Sequence, residues 1–142
     1  MQVMVIMKAS RSSEAGVMPR AEDMERMIRF NEEMVAAGIL KSADGLKPSR
    51  FGKRVTFHVG GGRSVVDGPF ESPRELVAGY WIWEVKSMDE ALEWARRCPD
   101  PAPGEESEIE LRPFFAPEDF GAEFTPEMQE RVEAMHRELE GP

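Results

Sequence analysis

Val3, Val5 and Met7 alternate with Met4, Ile6 and Lys8 at the start of the chain, a pattern that predicts a strand apolar on both faces and therefore covered on both. A helix follows over about residues 19–37. Pro19 suits its first turn, Glu22 and Asp23 complement its positive end, and Gly38 is placed to stop it. Its apolar stripe is Met24, Met27, Ile28, Met34 and Val35, and the position completing the helical spacing is the polar Asn31.

Residues 39–43 form a short strand, and Asp44-Gly45 and Lys47-Pro48 mark turns. Residues 54–59 then alternate, with Val55, Phe57 and Val59 on one face and Arg54, Thr56 and His58 on the other. Gly60, Gly61 and Gly62 supply the positive φ angles that fold this strand back into Ser64–Val66 as a hairpin. In the run 78–85, Trp81, Trp83 and Val85 face one way and Tyr80, Ile82 and Glu84 the other. Ser87 caps the next helix, with Met88, Ala91, Leu92 and Ala95 on its buried side, and Cys98-Pro99 ends it. A last strand spans 108–112, with Ile109 and Leu111 inward. Beyond it, Thr125 caps and Pro126 opens a final helix whose seam is Met128, Val132, Met135 and Leu139. So narrow a seam suits docking in a groove, the partner subunit's in preference to its own.

Sorted by face, Val3/Val5/Met7, Val55/Phe57/Val59, Trp81/Trp83/Val85 and Ile109/Leu111 form one apolar set beneath the first two helices, which predicts an α+β two-layer sandwich. The opposite set mixes apolar and ionisable residues and is too apolar at its centre to stand in water. A second copy of the same face is the economical cover, since a two-fold contact is self-complementary.

The 142 residues suit one core domain, read as 1–115, with an extension at 116–142 that carries the last helix. Twenty-seven acids against eighteen Lys and Arg give a net charge of −9, which disfavours nucleic acid and anionic membranes as partners. The apolar start is too short for a leader or a membrane span, and one cysteine permits no internal disulfide, so the expectation is a cytoplasmic protein. No cluster has zinc-ligand spacing, and the glycine triplet lacks the ending of a phosphate loop, so neither metal nor cofactor is expected.

Val66-Asp67-Gly68-Pro69-Phe70, Ala78-Gly79-Tyr80-Trp81-Ile82-Trp83-Glu84-Val85, Arg97-Cys98-Pro99-Asp100-Pro101 and the run Glu108 to Phe115 with Glu118-Asp119-Phe120-Gly121 together resemble the YCII-related family in its DGPF subgroup, across about residues 1–121. The resemblance implies a ferredoxin-like subunit and a dimeric α+β barrel. It also implies one of two functions. The first is a small cofactor-free enzyme of isomerase, lyase or dehydrochlorinase type, some relatives being associated with a His–Asp pair. The second is a regulatory or ligand-sensing module linked to an extracytoplasmic-function sigma factor. One departure stands out: after DGPF the subgroup usually reads Ala-Glu-Thr-Lys-Glu, and Ser72 here occupies the usual glutamate.

The reading therefore nominates a homodimer that binds a small organic molecule, with a sigma factor as an alternative partner. Asp67 is the candidate general base, weighed against a turn-holding role, and His58 its candidate proton carrier, weighed against a hydrogen-bonded interface histidine. The two act as a pair only if the hairpin folds one toward the other. Asn31, Tyr80 and Arg54 are the candidate substrate contacts: an amide in an apolar stripe, a phenol on the mixed face, and a guanidinium suited to a carboxylate. Trp81 and Trp83 are assigned to the core. Cys98, at a helix C-terminus where the dipole disfavours thiolate, is not expected to be a nucleophile.

Overall fold

The computed structural model describes residues 1–142. Its elements run β1 (Gln2–Lys8), α1 (Arg11–Glu14), α2 (Ala21–Ala36), β2 (Leu40–Gly45), β3 (Lys53–Phe57), β4 (Arg63–Asp67), β5 (Val77–Glu84), α3 (Met88–Arg97), β6 (Ile109–Pro113) and α4 (Pro126–Glu140). Four strands make one antiparallel sheet in the order β2-β5-β1-β6. With α2 joining β1 to β2 and α3 joining β5 to β6, this is the ferredoxin-like α+β arrangement.

Val3, Val5, Trp81 and Trp83 project from the two central strands onto one face, and Phe30 and Met34 of α2 and Ala91 of α3 close over them. Val3, Val5, Met34 and Trp83 are fully buried. Phe30 sets its ring edge-on to both indoles, with centroids 6.1 Å from Trp81 and 6.5 Å from Trp83. Asn31 is held by this core: its Oδ1 accepts the Trp81 Nε1–H at 2.9 Å, which satisfies a donor that would be costly to bury alone. Helix ends follow the sequence. Ser87 Oγ accepts the Glu90 N–H at 3.2 Å, and Thr125 Oγ1 accepts that of Met128 at 3.2 Å.

Three expectations are corrected. β3 and β4 pair only with each other, as a separate two-stranded sheet inserted between β2 and β5, so Val55, Phe57 and Val59 are 50%, 69% and 106% exposed and lie outside the core. Alternation reports which residues share a face, but not which sheet a strand joins. On α2 the buried pair is Phe30 and Met34, while Met24, Ile28 and Val35 face solvent. On α3, Leu92 is exposed and Trp94 packs on the core instead.

Only 13 of 142 residues are buried, and the accessible surface is 10612 Å². A compact monomer of 16.0 kDa exposes about 7,400 Å² by the size scaling of globular proteins. The excess, roughly 3,000 Å² for one protomer, is more than the roughly 1,000–2,500 Å² that each partner of an obligate dimer ordinarily buries. It arises where elements stand apart: α4 makes at most sparse contact with the other strands and helices, and the strands of the β3–β4 hairpin pack closely only on each other.

Candidate functional site

The sheet face away from α2 and α3 has an apolar centre. Met4 and Ile6 of β1 sit opposite Ile82 and Tyr80 of β5 in the strand register, a four-residue floor of half-buried side chains. Neither core helix covers it, because both pack on the other face.

Ionisable groups rim the floor. On the β2 side, Tyr80 Oη donates to Asp44 Oδ2 at 3.4 Å. On the β6 side, Glu110 takes a hydrogen bond from Arg112 at 3.2 Å and an ion pair with Lys8 at 3.6 Å. The Arg112 hydrogen bond, followed by the charge of Lys8, holds the Glu110 carboxyl below the usual glutamate range. At the chain start, the terminal amine pairs with Glu84 at 3.0 Å. Such a surface offers a flat floor for an organic ring, a phenol–carboxylate pair at one edge, and two cations at the other able to hold an anionic substituent.

A second concavity lies past the end of β1. Ala9–Arg11, Ser72–Glu75 and Gly104–Glu106 line an open cleft of about 720 Å³ rich in charged and hydroxyl side chains. Arg74 and Glu106 pair across it at 2.6 Å, and Ser12 Oγ donates to Glu105 at 2.5 Å. Ser72 lines this cleft in a left-handed conformation with φ 62°.

The five nominated residues fall in three places. Tyr80 lies on the open face. Asn31 lies on the opposite side of the sheet, engaged with Trp81. Arg54, His58 and Asp67 belong to the hairpin. The Arg54 guanidinium stacks 4.0 Å over the Phe70 ring, His58 Nε2 shares a hydrogen bond with Ser64 Oγ at 2.8 Å, and Asp67 pairs with Lys53 at 2.6 Å. His58 lies at the turn, its N–H bonded to the Gly62 carbonyl, while Asp67 lies at the other end of the ladder opposite Lys53. Five residues of strand separate Gly62 from Asp67, roughly 17 Å at the usual rise. Within one protomer the His58–Asp67 pair does not form.

Burial, with Asp100 adding to it, pushes the Cys98 thiol up to about 11, which disfavours the thiolate that a nucleophile needs. No three His, Cys, Asp or Glu side chains converge as a metal site, and no helix is long and apolar enough to cross a membrane.

The residues that sequence reasoning passed over are Asp44, read only as a turn, and the serines that tie loops together. Ser10 and Ser13 form a reciprocal capping pair at α1, with Ser13 Oγ accepting the Ser10 N–H at 2.8 Å and Ser10 Oγ accepting the Ser13 N–H at 3.1 Å. A Ser-x-x-Ser spacing directly after the first strand was the available signal.

Residues 1–115 match the family model for the YCII-related domain. The curated uncharacterized protein R00369 of Rhizobium meliloti (strain 1021) is 32% identical over 97 residues, covering 66% of this chain and 77% of that protein. Among solved structures, 5-chloro-2-hydroxyhydroquinone dehydrochlorinase (TftG) from Burkholderia phenoliruptrix AC1100, in complex with 2,5-dihydroxybenzoquinone, is similar at 14% identity with a TM-score of 0.44, over 82% of this chain and 96% of that one. On the match of its residues 1–115 to that family model, this chain belongs to the YCII-related family.

Proposed function

We propose that this protein works as a homodimer whose two open sheet faces enclose a small organic molecule, and that it carries out cofactor-free acid–base chemistry on it. The observation that carries the reading is the Met4–Ile6–Tyr80–Ile82 floor, apolar at its centre, ionisable at its rim and uncovered by the chain's own helices. A monomer would leave that floor in water, whereas a two-fold copy turns it into a chamber walled by two sheets. A ring carrying hydroxyl and carboxylate groups fits the lining: carbon against the floor, hydroxyl at Asp44 and Tyr80, and anion at Lys8 and Arg112. Proton transfer at the hydroxylated edge then falls to the Asp44–Tyr80 pair, which adjoins the floor. Asp67 and His58 enter a site only through a hairpin reaching the partner, and then as separate groups.

The test begins with molecular mass. Sedimentation equilibrium should give twice 16.0 kDa, and Ile6→Arg should give a folded monomer by circular dichroism. A panel of hydroxylated benzoates, followed by calorimetry and by chromatography of products, should then show binding to the dimer that Tyr80→Phe weakens and Asp44→Asn leaves without turnover. A wild-type monomer at high concentration would overturn the chamber. Binding without turnover of any panel member would leave a ligand-sensing protein in place of an enzyme.

A further inference from the structure

Two unpartnered apolar surfaces carry opposite charge. The first is one face of the β3–β4 hairpin, where Val55 stands opposite Val65 and Phe57 opposite Arg63, all exposed, with Val59 beyond them. The segment 47–67 around it holds five Lys and Arg against the single acid Asp67. The second is the seam of α4, with Met128 47%, Met135 54% and Leu139 84% exposed. Between residues 118 and 140 there are eight acids against two arginines, a net −6 out of the chain's −9.

We propose that α4 is an exchanged arm, which lays its seam on the β3–β4 hairpin of a second copy of this chain. Charge selects the hairpin over a further exposed apolar strip, the Met24, Ile28 and Val35 line of α2, because α2 itself carries five acids against two arginines and repels an acidic helix. A second copy is selected over the chain's own hairpin because the two elements make at most sparse contact within the protomer. The roughly 3,000 Å² of surplus surface is larger than one sheet-to-sheet contact needs and leaves area for two reciprocal arms. α4 lies beyond residues 1–115 that match the family, so the arm is an addition to the family's domain. A covered hairpin would also fix His58 and Arg54 relative to the partner.

The test uses the full chain with a benzophenone side chain replacing Phe57, in a mixture of isotopically heavy and light protein, with photoadducts mapped by mass spectrometry. Expected are adducts from position 57 to residues 128–139 that join heavy to light chains. Adducts within one chain overturn the exchange, and adducts elsewhere, or none, overturn the docking. As an independent arm, Arg63→Glu should weaken association about tenfold, and Glu127→Lys with Glu138→Lys, which flank the seam, should restore it. Failure to restore overturns the charge argument. A dimer that persists without the adduct removes the arm and leaves the sheet-face chamber standing, so the two proposals fail separately.

Discussion

The Glu14 carboxylate grips Ser49 with both oxygens, Oε1 accepting the Ser49 backbone N–H at 2.9 Å and Oε2 the hydroxyl at 2.5 Å. Ser49 Oγ in turn accepts the Phe70 N–H at 2.9 Å. One carboxylate at the end of α1 thereby anchors both the turn before β3 and the turn after β4, and so sets the root of the hairpin. The group is partly buried and its bonds are charge-assisted, so Glu14→Ala should cost about 1.5–3 kcal/mol. Urea denaturation should show this as a lower midpoint, with Glu14→Gln intermediate because the amide keeps one acceptor. An unchanged midpoint for Glu14→Ala would remove the anchor role.

The same root explains the glycine of the Asp-Gly-Pro-Phe run. A Cβ at Gly68 would lie 1.8 Å from the Ser49 carbonyl oxygen and 2.6 Å from its carbon, and backbone cannot yield as a flexible side chain can. Gly68→Ala should therefore dislodge the hairpin root. Gly45→Ala, whose Cβ would meet only the Ala78 oxygen at 4.0 Å, should be tolerated. Thermal melts of the two variants side by side should differ by several degrees, in that order.

Asn31 separates a structural from a ligand-binding account of a polar residue on a helix. Its amide satisfies the Trp81 indole, so Asn31→Leu orphans that donor and should lower stability by about 1–3 kcal/mol. Binding to the open face should be unaffected, since Asn31 lies across the sheet from it. A loss of ligand affinity with stability unchanged would reinstate the substrate role read from the sequence.

What could be read from the sequence was local. The caps at Ser87 and Thr125, the glycine hairpin turn, the core placement of Trp81 and Trp83 and the mixed face of β1 and β5 each follow from a few adjacent residues. The hairpin's detachment could not be read, because Val55, Phe57 and Val59 alternate as well in an isolated ribbon as in a central strand. The exposed side of α2 misled for a related reason: Met24, Ile28 and Val35 are apolar enough for a core stripe, and only packing shows that Phe30 and Met34 fill that space. The paired nomination of His58 and Asp67 failed on distance, which depends on the ladder register that puts one at each end of the hairpin. These misplaced apolar residues are all exposed in the protomer, where the surplus surface lies.

Glu110 gives the pH dependence its sign. Its carboxyl is held below the ordinary glutamate range chiefly by the Arg112 hydrogen bond and then by Lys8, so the folded state favours the ionised form more than the unfolded chain does. The stabilisation is present above the ordinary glutamate value and is lost as the pH falls through the lowered folded value, which places the effect on the acid side. Because the group is solvent-exposed in the protomer, the change in stability should be small, and the informative measurement is the titration itself. Side-chain carboxyl NMR should place Glu110 below the ordinary value in the wild type. Arg112→Ala should move it most of the way back, and Lys8→Met should move it less. If the two proposed sheet faces meet, diluting the protein into its monomeric form should shift the Glu110 titration, since apposition changes the field at the rim. A titration independent of concentration across the dimer's dissociation range would place Glu110 outside the chamber.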